Sequence, residues 1–219
     1  VALPMDHVWK YDQSGMDLGA AWREVAFDDA AWPEGPGALG VDNNPAVVPL
    51  IRTRLSLTNA FGYPANTCYF RTCFTFDGDP GTTWLVASNL VDDGVIVYLN
   101  GTEVYRWNMP EGPVNYYSTR AKEAVDESSL PEGVWNVTDV SPARLVQGTN
   151  VLAAEVHQVN PASPDIVFGL AVGLQAVAGP PLLIRQPASQ RAGPGMSARF
   201  EAAIVGSQPL SYHWEQSVV

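Results

Sequence analysis

Lysine is nearly missing from this 219-residue chain: only two of its 12 basic residues are Lys, against 23 acidic ones and a formal charge of −11. There is no basic stripe, which excludes nucleic acid and anionic membrane as partners, because both are held by clustered Lys and Arg that displace counterions. No apolar run approaches the roughly 20 residues of a membrane-spanning helix, so no membrane insertion is expected. Helical periodicity is confined to Met16–Trp22 and Phe27–Trp32, where a helical turn is expected. A G-x-S-x-G elbow, a P-loop, a G-x-G-x-x-G fingerprint and an H-E-x-x-H helix are all lacking, so no enzyme class has a motif behind it. Glycine (19 residues) shows no three-residue period, and seven Trp, eight Tyr and seven Phe exclude collagen and disorder.

Cysteine is scarce too. Cys68 and Cys73 are five residues apart, an odd spacing that points them to opposite faces of one extended strand. Their Cα atoms would lie about 16 Å apart at ~3.3 Å per residue, beyond disulfide reach. Two small buried or half-buried thiols are expected; a bulge-allowed bridge or a metal pair is the alternative. The cysteines do not decide the compartment. Val1 follows no initiator Met and no signal pattern, which suits a processed N-terminus or an excised fragment. Asn100-Gly-Thr and Asn136-Val-Thr fit the glycosylation sequon, a pattern common by chance.

What is present is a succession of short β runs broken by Gly, Pro, Asn and Asp. Strands are expected at His7–Tyr11, Thr53–Leu57, Cys68–Phe76, Thr83–Asn89, Gly94–Leu99, Thr102–Asn108, Tyr116–Thr119, Val134–Val137, Asn150–Gln158 and Ile166–Ala176. The sharpest local signal is VIVYLNGTEVYRW. Asn100-Gly101 supplies the two positive φ angles of a type I′ turn, and hence a two-residue hairpin. About ten strands with little helix mean an all-β sandwich or barrel. At Ala178-Gly-Pro-Pro the composition changes, dividing the chain into residues 1–178 and 179–219.

Several side chains could carry chemistry. Asp92-Asp93 precedes the hairpin in a loop, where adjacent carboxylates can ligate calcium, with Glu155 as a further ligand, or accept sugar hydroxyls. The competing reading is turn chemistry, with Asp bonding backbone amides. Glu155 and His157 share a strand face, and the loop Asn160–Asp165 could close over them. They could form a polar pocket with Asp165, acid/base apparatus, or a structural Glu–His pair. Arg106 and Asn108 could recognise hydroxyls or be solvated. Trp9, Trp22 and Trp32 read as core, whereas Trp107, Tyr116, Tyr117 and Trp135 lie near loops and are the better candidates for stacking on sugar rings.

Residues 1–178 resemble the galactose-binding-like jelly-roll domains of large secreted bacterial proteins, including the sugar-binding domain of family 2 glycosidases. The matching stretches are Trp9-Lys-Tyr11, Ala21-Trp22-Arg23 to Phe27-Asp-Asp-Ala-Ala-Trp32, and Gly37-Ala-Leu-Gly40. They continue with Tyr69-Phe-Arg71, Asp92-Asp-Gly94, Val97 to Val104, Asn108-Met-Pro110 and Gly148 to Gln158. Residues 179–219 resemble the start of a bacterial immunoglobulin-like domain through Ile184-Arg-Gln-Pro187, Gly193-Pro-Gly195, Ala198–Ala202 and Pro209–Trp214. The resemblance implies an antiparallel jelly-roll β-sandwich followed by a partial immunoglobulin-like segment. It also implies a non-catalytic, extracellular module that binds polysaccharide or glycan, often with a structural Ca2+. The alternative is a structural subunit of a fibre, sheath or adhesin. In that case residues 179–219 pair with further domains or neighbouring copies by strand addition.

Overall fold

Alternation along Thr67–Phe76 sets the architecture: Cys68, Phe70, Phe74 and Phe76 point into the core, while Tyr69, Arg71 and Cys73 point the other way. The computed structural model describes residues 3–125, 137–140 and 144–176, and beyond them 180, 182–185, 190, 191, 193, 197, 200, 202–205, 211 and 213–215. Among the described residues helix is limited to three 3-10 turns, Ala21–Arg23, Val48–Leu50 and Pro80–Thr82.

The strands, in chain order, begin with β1 (Val8–Asp12), β2 (Glu34–Pro36), β3 (Leu39–Val41), β4 (Thr53–Arg54), β5 (Thr67–Phe76) and β6 (Thr83–Asp92). They continue with β7 (Gly94–Leu99), β8 (Thr102–Trp107), β9 (Val137–Val140), β10 (Gly148–His157), β11 (Ile166–Ala176), β12 (Leu182–Arg185) and β13 (Ala203–Val205). One sheet has the order β2-β1-β5-β10-β7-β8, the second β4-β3-β11-β6-β9, and β12 pairs only with β13. All pairs are antiparallel except β3–β4. The two large sheets face each other across one apolar core. Phe70 stacks on Phe168 with ring centroids 4.1 Å apart, and Trp9 meets Phe168 edge-on at 5.0 Å.

The Asn100-Gly101 turn joins β7 to β8 as expected, with φ of 50° and 81°. The Asn100 amide is fully used: it donates to the Arg144 carbonyl and to Asn150 Oδ1, and accepts the Val151 N–H at 2.8 Å. A glycan at this sequon would have to break those bonds. The second sequon residue, Asn136, lies outside the described residues.

Four expectations are corrected. Tyr116–Thr119 is a turn, because the Asn115 carboxamide accepts the N–H groups of Tyr117 and Ser118. The strand expected over Thr53–Leu57 stops at Arg54, after which Ser56 bonds the Gln13 side chain. Phe27–Trp32 is not helical: Asp29 is drawn to Arg71 and Lys10, each at 2.8 Å. Met16–Trp22 yields only the short turn at Ala21–Arg23. Of the expected strand Val134–Val137, residues 134–136 lie outside the described residues, and β9 starts at Val137.

The outward face of the six-stranded sheet is roofed rather than left to water. Segments 13–33 and 108–125 lay Trp22, Met109 and Tyr116 over Tyr69, Ile96 and Tyr98 as a second apolar cluster. Arg71, itself buried, clamps the first roof segment by donating to the Trp22 and Glu24 carbonyls as well as to Asp29.

Candidate functional site

The loops at one end of the sandwich gather most of the side chains singled out in the sequence. Asp93 follows β6, and its carboxylate accepts the Val125 N–H at 3.1 Å and the Val159 N–H at 2.7 Å. Both oxygens therefore tie the two neighbouring loops together, as turn chemistry would have it. Asp92 is buried beside Asp93 and Asp165. Burial, and then those two neighbouring carboxylates, push its carboxyl well above the usual range, so it is protonated at neutral pH and can share hydrogen bonds with both. Asn108, at φ 53°, donates to the carbonyls of Asp93 and Glu123 and accepts the Glu123 N–H.

Glu155 and His157 do share a face, and it is the roofed one. Glu155 accepts from the Tyr98 hydroxyl at 2.5 Å and sits 3.2 Å from His157 Nε2, while His157 Nδ1 faces Thr67 Oγ1 and the Thr119 carbonyl, each at 3.1 Å. His157 is fully buried and Glu155 nearly so, so the pair pins β10 to the 115–121 loop. The Asn160–Asp165 loop takes the other side: Asp165 joins Asp92, and the exposed Asn160 accepts the Ala162 N–H. Arg106 is held by both Glu103 oxygens at 2.7 Å. Trp107 is half-buried and packs on the main core. Trp135 lies outside the described residues. No group of three or more His, Cys, Asp or Glu side chains suited to a metal ion occurs among the described residues.

Aromatic residues reach solvent at the same end. Tyr117 is 57% exposed, Phe61 62% and Tyr63 68%, whereas the neighbouring Tyr116 is buried against Tyr69. The turn carrying Phe61 and Tyr63 is fastened by the Asn59 side chain, which accepts the N–H of both residues. The turn carrying Tyr117 is fastened in the same manner by Asn115. The two turns adjoin: the Tyr116 hydroxyl faces Asn59 without closing a hydrogen bond of normal geometry. Sequence reasoning missed Phe61 and Tyr63. Their signal was available in NAFGYP, a Gly turn with an aromatic ring on either side.

No family model matches the chain, and no curated protein matches it. Among solved structures, a β-glycosidase from Bacteroides vulgatus is 13% identical with a TM-score of 0.48, over 95% of this chain and 24% of the other. A glycosyl hydrolase family 2 member from Bacteroides cellulosilyticus is 11% identical with a TM-score of 0.48, over 80% of this chain and 21% of the other. A Bifidobacterium dentium β-glucuronidase is 14% identical with a TM-score of 0.42, over 72% of this chain and 20% of the other. The chain therefore spans a quarter or less of the length of these three structures.

Proposed function

We propose that this chain is a non-catalytic carbohydrate-binding or accessory module of a larger secreted or cell-surface bacterial protein. The observation that carries the reading is the exposed rim of Phe61, Tyr63 and Tyr117 on two adjoining turns fastened by asparagines. Aromatic rings carried on backbone turns fixed in this way offer sugar C–H groups a surface to stack on. Hydrolysis of a glycoside needs two carboxylates flanking the scissile bond. The buried Asp92, Asp93, Glu155 and Asp165 do not offer this. The jelly-roll resemblance of residues 1–178 and the immunoglobulin-like resemblance of 179–219 belong to the same proposal.

Affinity electrophoresis through gels containing soluble neutral polysaccharides tests it. Retardation of the native chain is expected by at least one of them, with Tyr63→Ala and Tyr117→Ala each weakening it about 3–10-fold, the worth of one stacked ring. Unchanged mobility in every gel would refute the reading. The calcium expected at Asp92, Asp93 and Glu155, side chains that the fold does not gather into one group for a metal ion, is tested by chelation. It requires a lower Tm in chelator for the native chain and no such change in Asp93→Ala.

A second reading, a fibre, sheath or adhesin subunit, draws on exposed Leu183, Phe200 and Trp214 beyond the large sheets. Uncovered apolar side chains next to strands favour pairing with another chain. Sedimentation separates the readings, since a subunit must self-associate.

A further inference from the structure

The β4 edge of the second sheet carries a pocket whose lining does not include the aromatic rim. It has a volume of about 230 Å3 and is lined by Asp42, Val48, Ile51, Arg52 and Arg54 over the backbone of Gly40 and Val41. Leu55 enters the main core, so alternation sends Arg52 and Arg54 together to the outward face of edge strand β4. Both are exposed, and among the described residues neither guanidinium makes an ion pair or hydrogen bond. Elsewhere in this acidic chain Lys10, Arg71 and Arg106 are each paired with a carboxylate.

Asp42 closes the pocket from β3's side. Its Oδ1 accepts the Asn44 N–H at 2.6 Å, while Oδ2 is buried with no protein partner. The wall is fixed by consecutive bonds: Asn44 Oδ1 accepts the Ala46 N–H, and its carbonyl accepts those of Val47 and Val48.

We propose that this pocket binds a uronate residue of an acidic saccharide. Two unpaired guanidiniums suit a planar carboxylate, which they can grip through paired N–H donors. Asp42 lines the pocket and repels a second negative charge, so the ligand has one anionic end and a neutral remainder. The apolar side chains of Val48 and Ile51 meet the sugar's C–H groups. A phosphate polyanion fits less well, because Asp42 and the net charge of −11 both oppose it. The volume suits one small polar residue better than a large ligand. The inference extends the carbohydrate reading to a second site and does not depend on the rim.

The test is a 15N-amide titration of the full chain with galacturonate, galactose and sodium sulfate at matched ionic strength. Galacturonate should shift Gly40, Asp42 and Arg54 saturably, with galactose and sulfate each at least 10-fold weaker. Arg52→Ala/Arg54→Ala should abolish the shifts, and Arg54→Lys should weaken binding several-fold because it keeps the charge and loses the fork. Asp42→Asn, which removes the repelling charge, should tighten divalent sulfate more than monoanionic galacturonate. Tyr63→Ala/Tyr117→Ala should bind galacturonate as the native chain does, so a failure of the rim is read separately. Equal binding of galactose and galacturonate, equal binding of sulfate and galacturonate, or full binding by the double arginine variant would each overturn the proposal.

Discussion

Two carboxyl groups, half-buried Asp29 and buried Asp92, couple this fold to pH in opposite directions. For Asp29, desolvation works upward, but hydrogen bonds from Arg71 and Lys10 outweigh it and hold the carboxyl below its ordinary value. Its stabilisation is therefore full above the unfolded-state pKa of about 4 and is lost as pH falls below that. Asp29→Ala should cost about 3–5 kcal/mol at pH 7, because it strands a buried guanidinium; thermal melts from pH 7 to pH 3 should show the variant and native curves converging. Asp92 is raised, so the folded state holds a proton that the unfolded state releases. Its contribution to stability is greatest below pH 4 and declines as pH rises through neutrality. Asp92→Asn, which stays neutral, should flatten that decline and raise Tm at pH 8 more than at pH 4; an equal change at both would remove the assigned cause. The thiols lie on opposite faces as the odd spacing requires, but only Cys68 is buried, its thiol pushed up to about 12 by desolvation; Cys73 is exposed, against the expectation of two buried or half-buried thiols. A maleimide should label one thiol in the native chain and two after unfolding.

At the scale of elements, the reach of the sequence depended on whether a strand carries its own pattern. β7 and β11 stand at the expected residues, and β5, β6, β8 and β10 differ only at their ends, because β-branched and aromatic runs bounded by turn residues define them. β2 and β3 went unseen: Glu34-Gly-Pro36 and Leu39-Gly-Val41 owe their extension to partners β1 and β11, not to propensity. The candidate carboxylates were legible as residue types, but which N–H groups would close on Asp93 depends on loops 66 and 32 residues away. The hairpin was legible in full, and it gives a quantitative test. Asn100→Ala removes three side-chain hydrogen bonds and places Ala at φ 50°, so a loss of about 2–4 kcal/mol is expected. A Tm drop of roughly 2–4 °C per kcal/mol would report it.

At the scale of the molecule, the two large sheets form their hydrogen-bonded ladders from β1 to β11, and among the described residues their apolar cores are built from residues 3–174. Among the described residues, β12 and β13 have strand partners only in each other. A chain ending at Ala178 should therefore unfold in one cooperative transition, with 15N-amide positions for residues 3–125 matching those of the full chain. The Phe200–Trp214 ring pair, 6.5 Å apart and exposed, is an apolar surface that a partner could cover. If cover comes from another copy, the full chain sediments as an oligomer and the shortened chain as a monomer. If it comes from further residues of a longer protein, both sediment as monomers, and the shortened chain still binds galacturonate through Arg52 and Arg54. Loss of cooperative unfolding in the shortened chain would instead make residues 179–219 part of the first domain, and the boundary at Ala178 would be wrong.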